Sequence, residues 1–298
     1  MTEHSYRTID VPVAGGDLRV AVWDPVGERT ADVLLIHGVT SSHLAWPYVV
    51  DRLPGVQAIA PDLRGRGASN DLEGGSSMRA HADDMAAVLD ALGIERIVVV
   101  GHSMGAFVAV VFAHLHPERV SRLVLIDGGL PLDVPEGLDA DTMVSSILGP
   151  TAARLSMRFA DADAYLDFWR DHPAFRGAWT PTLESYLAYD LVDDGEGMLR
   201  PATSYETTAE DTVDMNTGST LTDAVAGLRH PARFLTAPRG LQNEEPGLYS
   251  PRYLEEVLAA SPEVAHERLD GLNHYTIVMS DAGAAAISPV IFDELRAS

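Results

Sequence analysis

The segment Gly101-His102-Ser103-Met104-Gly105 constrains this chain more than any other. It follows the β-branched run Ile97-Val98-Val99-Val100 and leads into the small, apolar stretch Ala106–Ala113. A buried strand, a sharp turn and a helix are therefore expected in direct succession. Such a turn is strained, and bulk beside the serine would collide with it, so Gly101 and Gly105 supply the room. Ser103 Oγ is expected to project from the top of a sheet. The helix that follows aims backbone N–H groups and a partial positive charge at developing negative charge. These are the requirements for a serine nucleophile.

Length and composition narrow the alternatives. A chain of 298 residues supports one domain, or one domain with an insertion. No apolar run reaches the ~18 residues of a membrane span. Met1–Asp10 is polar and lacks the basic start and apolar stretch of a secretory signal, so a cytoplasmic location is expected. The net charge of −23 disfavours nucleic acid and anionic membrane surfaces, because phosphate binding needs clustered cations. Arginine supplies every Lys/Arg-type cation; without lysine, Schiff-base chemistry and a P-loop are excluded. The absence of cysteine excludes disulfides, thiolate nucleophiles and cysteine-ligated metal sites. No pair among the 11 histidines has a metal-ligand pattern, and no cofactor is expected.

Strands are expected at Tyr6–Pro12 and Leu18–Trp23, around the turn Gly15-Gly16-Asp17. Val33–Ile36, Val56–Ala60, Ile97–Val100 and Leu123–Ile126 are continuous apolar runs suited to strands buried on both faces. Leu44–Leu53, Met78–Leu92 and Met104–Leu115 are the helices between them, with Ser77 as N-cap and Gly93 as stop for the second. Strand–helix–strand alternation at these lengths implies a mostly parallel sheet with helices on both faces. The alternation lapses from Leu130 to about Asp214, where helices are expected at Asp139–Leu148, Asp161–His172 and Pro181–Asp190 and no buried strand is evident. That stretch carries 17 acidic residues against 5 arginines. It reads as a helical insertion, acidic outside and aromatic inside. The alternation resumes with Thr220–Leu228 (helix), Ala232–Thr236 (strand), Pro251–Ala260 (helix), Val264–Leu269 (strand) and Asp281–Leu295 (helix).

Four motifs together resemble the α/β-hydrolase superfamily: His37-Gly38 after the third strand, Asp62-Leu63-Arg64-Gly65-Arg66-Gly67-Ala68-Ser69 after the fourth, Gly101–Gly105, and Asn273-His274 near the end. The resemblance covers almost the whole chain. It implies a core of residues 1–129 and 217–298, with a helical cap at 130–216 after the sixth strand. The similar enzymes include esterases, lactonases, carbon–carbon bond hydrolases, dehalogenases, epoxide hydrolases and cofactor-free perhydrolases. Ser103 argues against dehalogenase and epoxide-hydrolase chemistry, which place aspartate at that position.

The family order is nucleophile, acid, histidine. It assigns Ser103 as nucleophile and His274 as base, and leaves two candidates for the acid. Relatives most often carry it about three residues past a glycine after the seventh strand, where this chain has Asn243; Glu244 is one residue further on. Other relatives place it at the end of the sixth strand, where Asp127 stands. Asp127 and Glu244 remain equal candidates on sequence. The resemblance further implies an oxyanion hole from the backbone N–H groups of Val39 and Met104. His102 is expected to pack in the turn. Asp62, Arg64 and Arg66 either brace the loop beneath the site or bind an anion. Phe159, Trp169, Trp179 and Tyr186 either line an apolar substrate pocket or fill the core of the cap.

The expected activity is hydrolysis of a carboxylic ester or lactone of a largely apolar small molecule through an acyl-enzyme, by a monomer or homodimer, with perhydrolysis as a side reaction. Two alternatives use the same fold: carbon–carbon bond hydrolysis by the same triad, and a non-catalytic ligand receptor or signalling module.

Overall fold

A computed structural model describes residues 4–135, 137–149 and 151–298. Met1–Glu3 of the polar N-terminal stretch, and Glu136 and Pro150 of the expected insertion, lie outside the described residues. Among the described residues there are ten strands: β1 (His4–Val13), β2 (Gly16–Pro25), β3 (Ala31–Ile36), β4 (Val56–Pro61), β5 (Ile97–His102), β6 (Val120–Ile126), β7 (Leu191–Asp193), β8 (Leu199–Pro201), β9 (Ala232–Thr236) and β10 (Val264–Arg268). The helices are α1 (Pro47–Val50), α2 (Met78–Leu92), α3 (Met104–Leu115), α4 (Ala140–Leu148), α5 (Thr151–Arg154), α6 (Ala162–Arg170), α7 (Pro181–Tyr189), α8 (Tyr205–Thr217), α9 (Ser219–Ala226), α10 (Pro251–Ala260) and α11 (Asp281–Arg296).

Eight strands form one sheet in the order β1-β2-β4-β3-β5-β6-β9-β10. The β1–β2 hairpin and the β2–β4 pair are antiparallel, and the remaining pairs are parallel. Alternation along each strand sends side chains to two apolar layers. In β3, Leu34 and Ile36 enter the layer that holds α2, α3, α9 and α10; Val33 and Leu35 enter the layer with α1, α11 and the inserted helices. Both faces are covered, so the central strands read as unbroken apolar runs.

The chain between β6 and β9 carries α4 to α9 and the small β7–β8 hairpin. The hairpin strands are mostly half-buried. The expected helix Leu44–Leu53 is instead a 3₁₀ turn, His43–Ala45, and the four residues of α1. Pro47 has no N–H to donate, so the hydrogen-bond ladder breaks there and the two pieces do not merge into one helix. Among the described residues, no helix is long and apolar enough to cross a membrane.

Candidate active site

The loops after β3, β5, β6 and β10 converge at the carboxyl ends of the parallel strands, where ligand crevices form in such sheets. The turn between β5 and α3 is built as the sequence requires. Ser103 has φ +55° and ψ −126°, a conformation that L residues rarely adopt, and its N–H donates to Ile126 C=O at 2.9 Å. A Cβ on Gly101 would stand 2.3 Å from Gly105 O, and one on Gly105 2.1 Å from Ile36 O. Both glycines are needed because backbone meets backbone there.

Ser103 Oγ lies 3.0 Å from His274 Nε2, and His274 Nδ1 lies 2.7 Å from Asp127 Oδ2. A carboxylate only accepts, so Nδ1 carries the proton; Nε2 of the neutral ring then accepts from the Ser103 hydroxyl. Asp127 is fully buried, and its φ of +46° turns the side chain toward the histidine. Its N–H donates to Leu235 C=O at 2.7 Å, and its Oδ1 accepts the Ala237 N–H at 3.2 Å. Glu244, the other candidate, is not joined to His274. Its carboxylate folds back onto its own loop, accepting the Gln242 N–H at 2.6 Å and lying against Gly240. Asn243 Oδ1 accepts from Asn273 Nδ2 at 3.1 Å, so that amide supports the residue before His274 rather than the imidazole. His274 is held through its backbone as well: its N–H donates to Arg239 C=O at 2.9 Å, and His102 Nε2–H donates to its C=O at 2.8 Å. Burial, together with the nearby His274, pushes the His102 imidazole well below its ordinary range and keeps it neutral.

Met104 N–H is the first of α3 and has no acceptor within the helix. The Val39 N–H has no hydrogen-bond acceptor among the described residues. The peptide that carries it is pinned from its carbonyl side. His37 Nε2 accepts the Leu63 N–H at 2.9 Å, so its Nδ1 bears the proton and donates to Gly38 C=O at 2.8 Å. In a trans peptide the N–H points opposite to the C=O, so Val39 N–H faces away from the His37 ring. Burial lowers the His37 pKa to about 4, which keeps the ring neutral in this role.

Asp62 is fully buried and accepts from His43 N–H and Nδ1 (both 2.8 Å), Ala68 N–H (2.9 Å) and Tyr189 Oη (2.7 Å). Burial alone would raise its pKa, but the His43 hydrogen bond and charge outweigh it and hold the carboxyl below its usual range. Arg64 pairs with Asp84 at 2.8 Å and Arg66 with Asp211 at 2.5 Å, all four side chains buried. With both guanidiniums paired, this cluster braces the loop and presents no free cation to an anionic ligand.

Ser103 and His274 open onto a narrow cavity of about 40 Å³. Val39, Met104 and Tyr186 line it, with Phe107, Met215, Tyr275 and Met279. Tyr186 also donates its hydroxyl to Ser41 Oγ at 3.1 Å. Three expected pocket residues do not line it. Phe159 packs its ring 4.9 Å from Tyr165 within the insertion. Trp169 is buried between Phe175, Tyr275 and the Arg154 guanidinium. Trp179 is half-buried, donates to Glu184 at 3.1 Å and lies under Arg170. Phe159 and Trp169 are joined through Tyr165 and share the core of the inserted segment with Leu148, Leu166, Leu183 and Leu187. Sequence reasoning missed Phe107 and Tyr275, yet Phe107 lies one turn beyond Ser103 on α3 and Tyr275 directly follows His274.

The α/β-hydrolase-fold family model matches residues 33–161. Lipase LipV of Mycobacterium tuberculosis is 36% identical over 185 residues, which cover 58% of this chain and 70% of that protein. A putative 2-succinyl-6-hydroxy-2,4-cyclohexadiene-1-carboxylate synthase of Bacillus subtilis is 33% identical over 120 residues, 40% of this chain and 43% of the relative, so the match spans less than half of that protein. The thioesterase domain from the curacin biosynthetic pathway superposes with a TM-score of 0.75 at 20% identity, covering 97% of this chain and 99% of that domain. Sheet order, strand-to-helix serine turn, late loop histidine and these similarities agree: the chain is a member of the α/β-hydrolase family.

Proposed function

We propose that the protein is a serine hydrolase that cleaves a carboxylic ester or lactone with a largely apolar body. The observation that carries this reading is the chain of contacts Ser103 Oγ–His274 Nε2–Asp127 Oδ2 at 3.0 and 2.7 Å, facing an apolar cavity. Ser103 attacks the carbonyl carbon as His274 takes its proton, while Asp127 holds the imidazole tautomer and stabilises the imidazolium. The N–H groups of Val39 and Met104 hold the tetrahedral oxyanion; each such donor contributes about 3 kcal/mol in the transition state. His274 then protonates the leaving alcohol, and water clears the acyl-enzyme through the same steps reversed. Similarity to a lipase supports an ester substrate, and the largely apolar cavity wall supports an apolar one. Helices α4 to α8 act as the cap that shapes this cavity.

The test compares wild type with Ser103→Ala on p-nitrophenyl esters and lactones, beside a panel of dienol ketones, and maps the residue labelled by an activated phosphonate. Turnover lost in the variant, with label on Ser103, is the expected result. Turnover of the ketones alone would shift the reading to carbon–carbon hydrolysis. Absence of any turnover, with ligand binding retained, would replace it with a receptor.

A further inference from the structure

One buried cation touches both residues to which the oxyanion hole is assigned. Arg66 is 0% exposed. Its Nε–H donates to Val39 C=O at 2.8 Å, and its Nη2 lies 3.9 Å from Met104 Sδ. Nη1 donates to Arg64 C=O at 2.9 Å and pairs with Asp211 Oδ2 at 2.5 Å. Asp211 belongs to α8, on the inserted segment. It is itself fully buried and accepts from Ser76 Oγ at 2.8 Å and His81 Nε2 at 3.1 Å. Asp211 therefore reaches the active-site loop through a single guanidinium.

The loop geometry gives this contact a consequence. The Gly38 carbonyl must point away from the cavity if the Val39 N–H of the same peptide is to face it, and the Val39 carbonyl must point away if it is not to stand where the oxyanion forms. His37 holds the first, and Arg66 holds the second. A Val39 carbonyl rotated inward would bring a partial negative charge against the oxyanion, where a donor is needed. Arg66 suits this task because its planar fork serves separate acceptors at once, which an ammonium cannot do in the same geometry.

We propose that Arg66 is a positioning residue for the oxyanion hole, and that Asp211 of α8 sets its placement, so that the inserted segment governs the rate of acyl transfer as well as the shape of the cavity. The proposal rests on the serine-hydrolase reading above. Its effect belongs to the transition state: donors misplaced by about 1 Å cost on the order of 100-fold in rate.

The experiment measures kcat and KM on a p-nitrophenyl ester for wild type, Arg66→Lys and the double variant Arg66→Met/Asp211→Leu, with thermal unfolding of each. The double variant removes both buried charges together, so no unpaired carboxylate is left to unfold the protein. The expected result is a fall in kcat of about 100-fold in both variants, with KM nearly unchanged. Affinity for a boronic-acid transition-state analogue falls by the same factor as kcat/KM, and affinity for the product acid holds. A purely structural role predicts instead that a folded double variant recovers kcat and analogue affinity, and that result would overturn the proposal. A wild type inert toward every ester overturns both this proposal and the hydrolase reading; an active wild type whose folded variants keep their kcat overturns this one alone.

Discussion

Asp127 and Glu244 are separated by backbone geometry that no residue pattern records. Asp127 sits in a left-handed conformation at the end of β6, which swings its carboxylate to His274; Glu244 turns back onto the amide of Gln242 in its own loop. Asp127→Asn is expected to lower kcat about 10⁴-fold with the fold intact, because an amide neither stabilises the imidazolium nor fixes the tautomer. Glu244→Gln leaves kcat within about two-fold, since that carboxylate does not reach the imidazole and an exposed surface change is small. Steady-state kinetics on one ester distinguish the two. His37 yields a prediction about pH. Its pKa is about 4 in the folded protein against an ordinary 6.5, so between those values the unfolded chain binds a proton that the folded chain does not. Its contribution to stability is complete above pH 6.5 and is lost as the pH falls toward 4, by about 3 kcal/mol in all. His172, lowered to about 4 by burial and the nearby Arg154, acts in the same direction. Urea unfolding across pH 4 to 7.5 should show this slope, and His37→Asn, which cannot take up the proton, should flatten part of it.

At the scale of elements, strands buried on both faces and helices with an apolar stripe were legible, because each pattern reports one burial geometry. Helix α8 was not. Its buried face is Thr208, Asp211, Thr212 and Met215, spaced as a helix requires but mostly polar, and its middle packs over Arg66, His81 and Ser76 while Met215 alone of the four enters the apolar core. Its start is fixed locally by Ser204, whose Oγ accepts the Thr207 N–H at 3.1 Å. Ser204→Ala is expected to cost about 1 kcal/mol of stability, read as a lower urea midpoint. Gly105→Ala is a far more severe change. Its methyl would meet the Ile36 carbonyl where β3 and α3 cross, and neither backbone can yield, so no soluble folded protein should accumulate.

For the molecule as a whole, the inserted segment divides into parts that hold the structure and parts that face the cavity. Trp169, Phe175 and Tyr165 stabilise the segment from within, and Trp169→Ala is expected to cost about 3–5 kcal/mol. Leu132, Ile147, Leu241 and Leu248 line both the catalytic cavity and a depression on the outer surface, which makes them a thin aliphatic partition between site and solvent. Ile147→Ala should open that partition and raise kcat/KM for octanoyl relative to acetyl esters, as measured across an acyl-chain series.

By itself, the sequence determined the sheet, the serine turn and the histidine that serves it, because these follow from local rules: periodicity of burial, the space glycines leave, and motif order along the chain. Tertiary structure alone decided which carboxylate meets His274, which aromatics face the cavity, and that Arg66 reaches from Asp211 to Val39. Those outcomes depend on the direction of side chains from segments more than a hundred residues apart in most cases, and only a packed backbone fixes such directions.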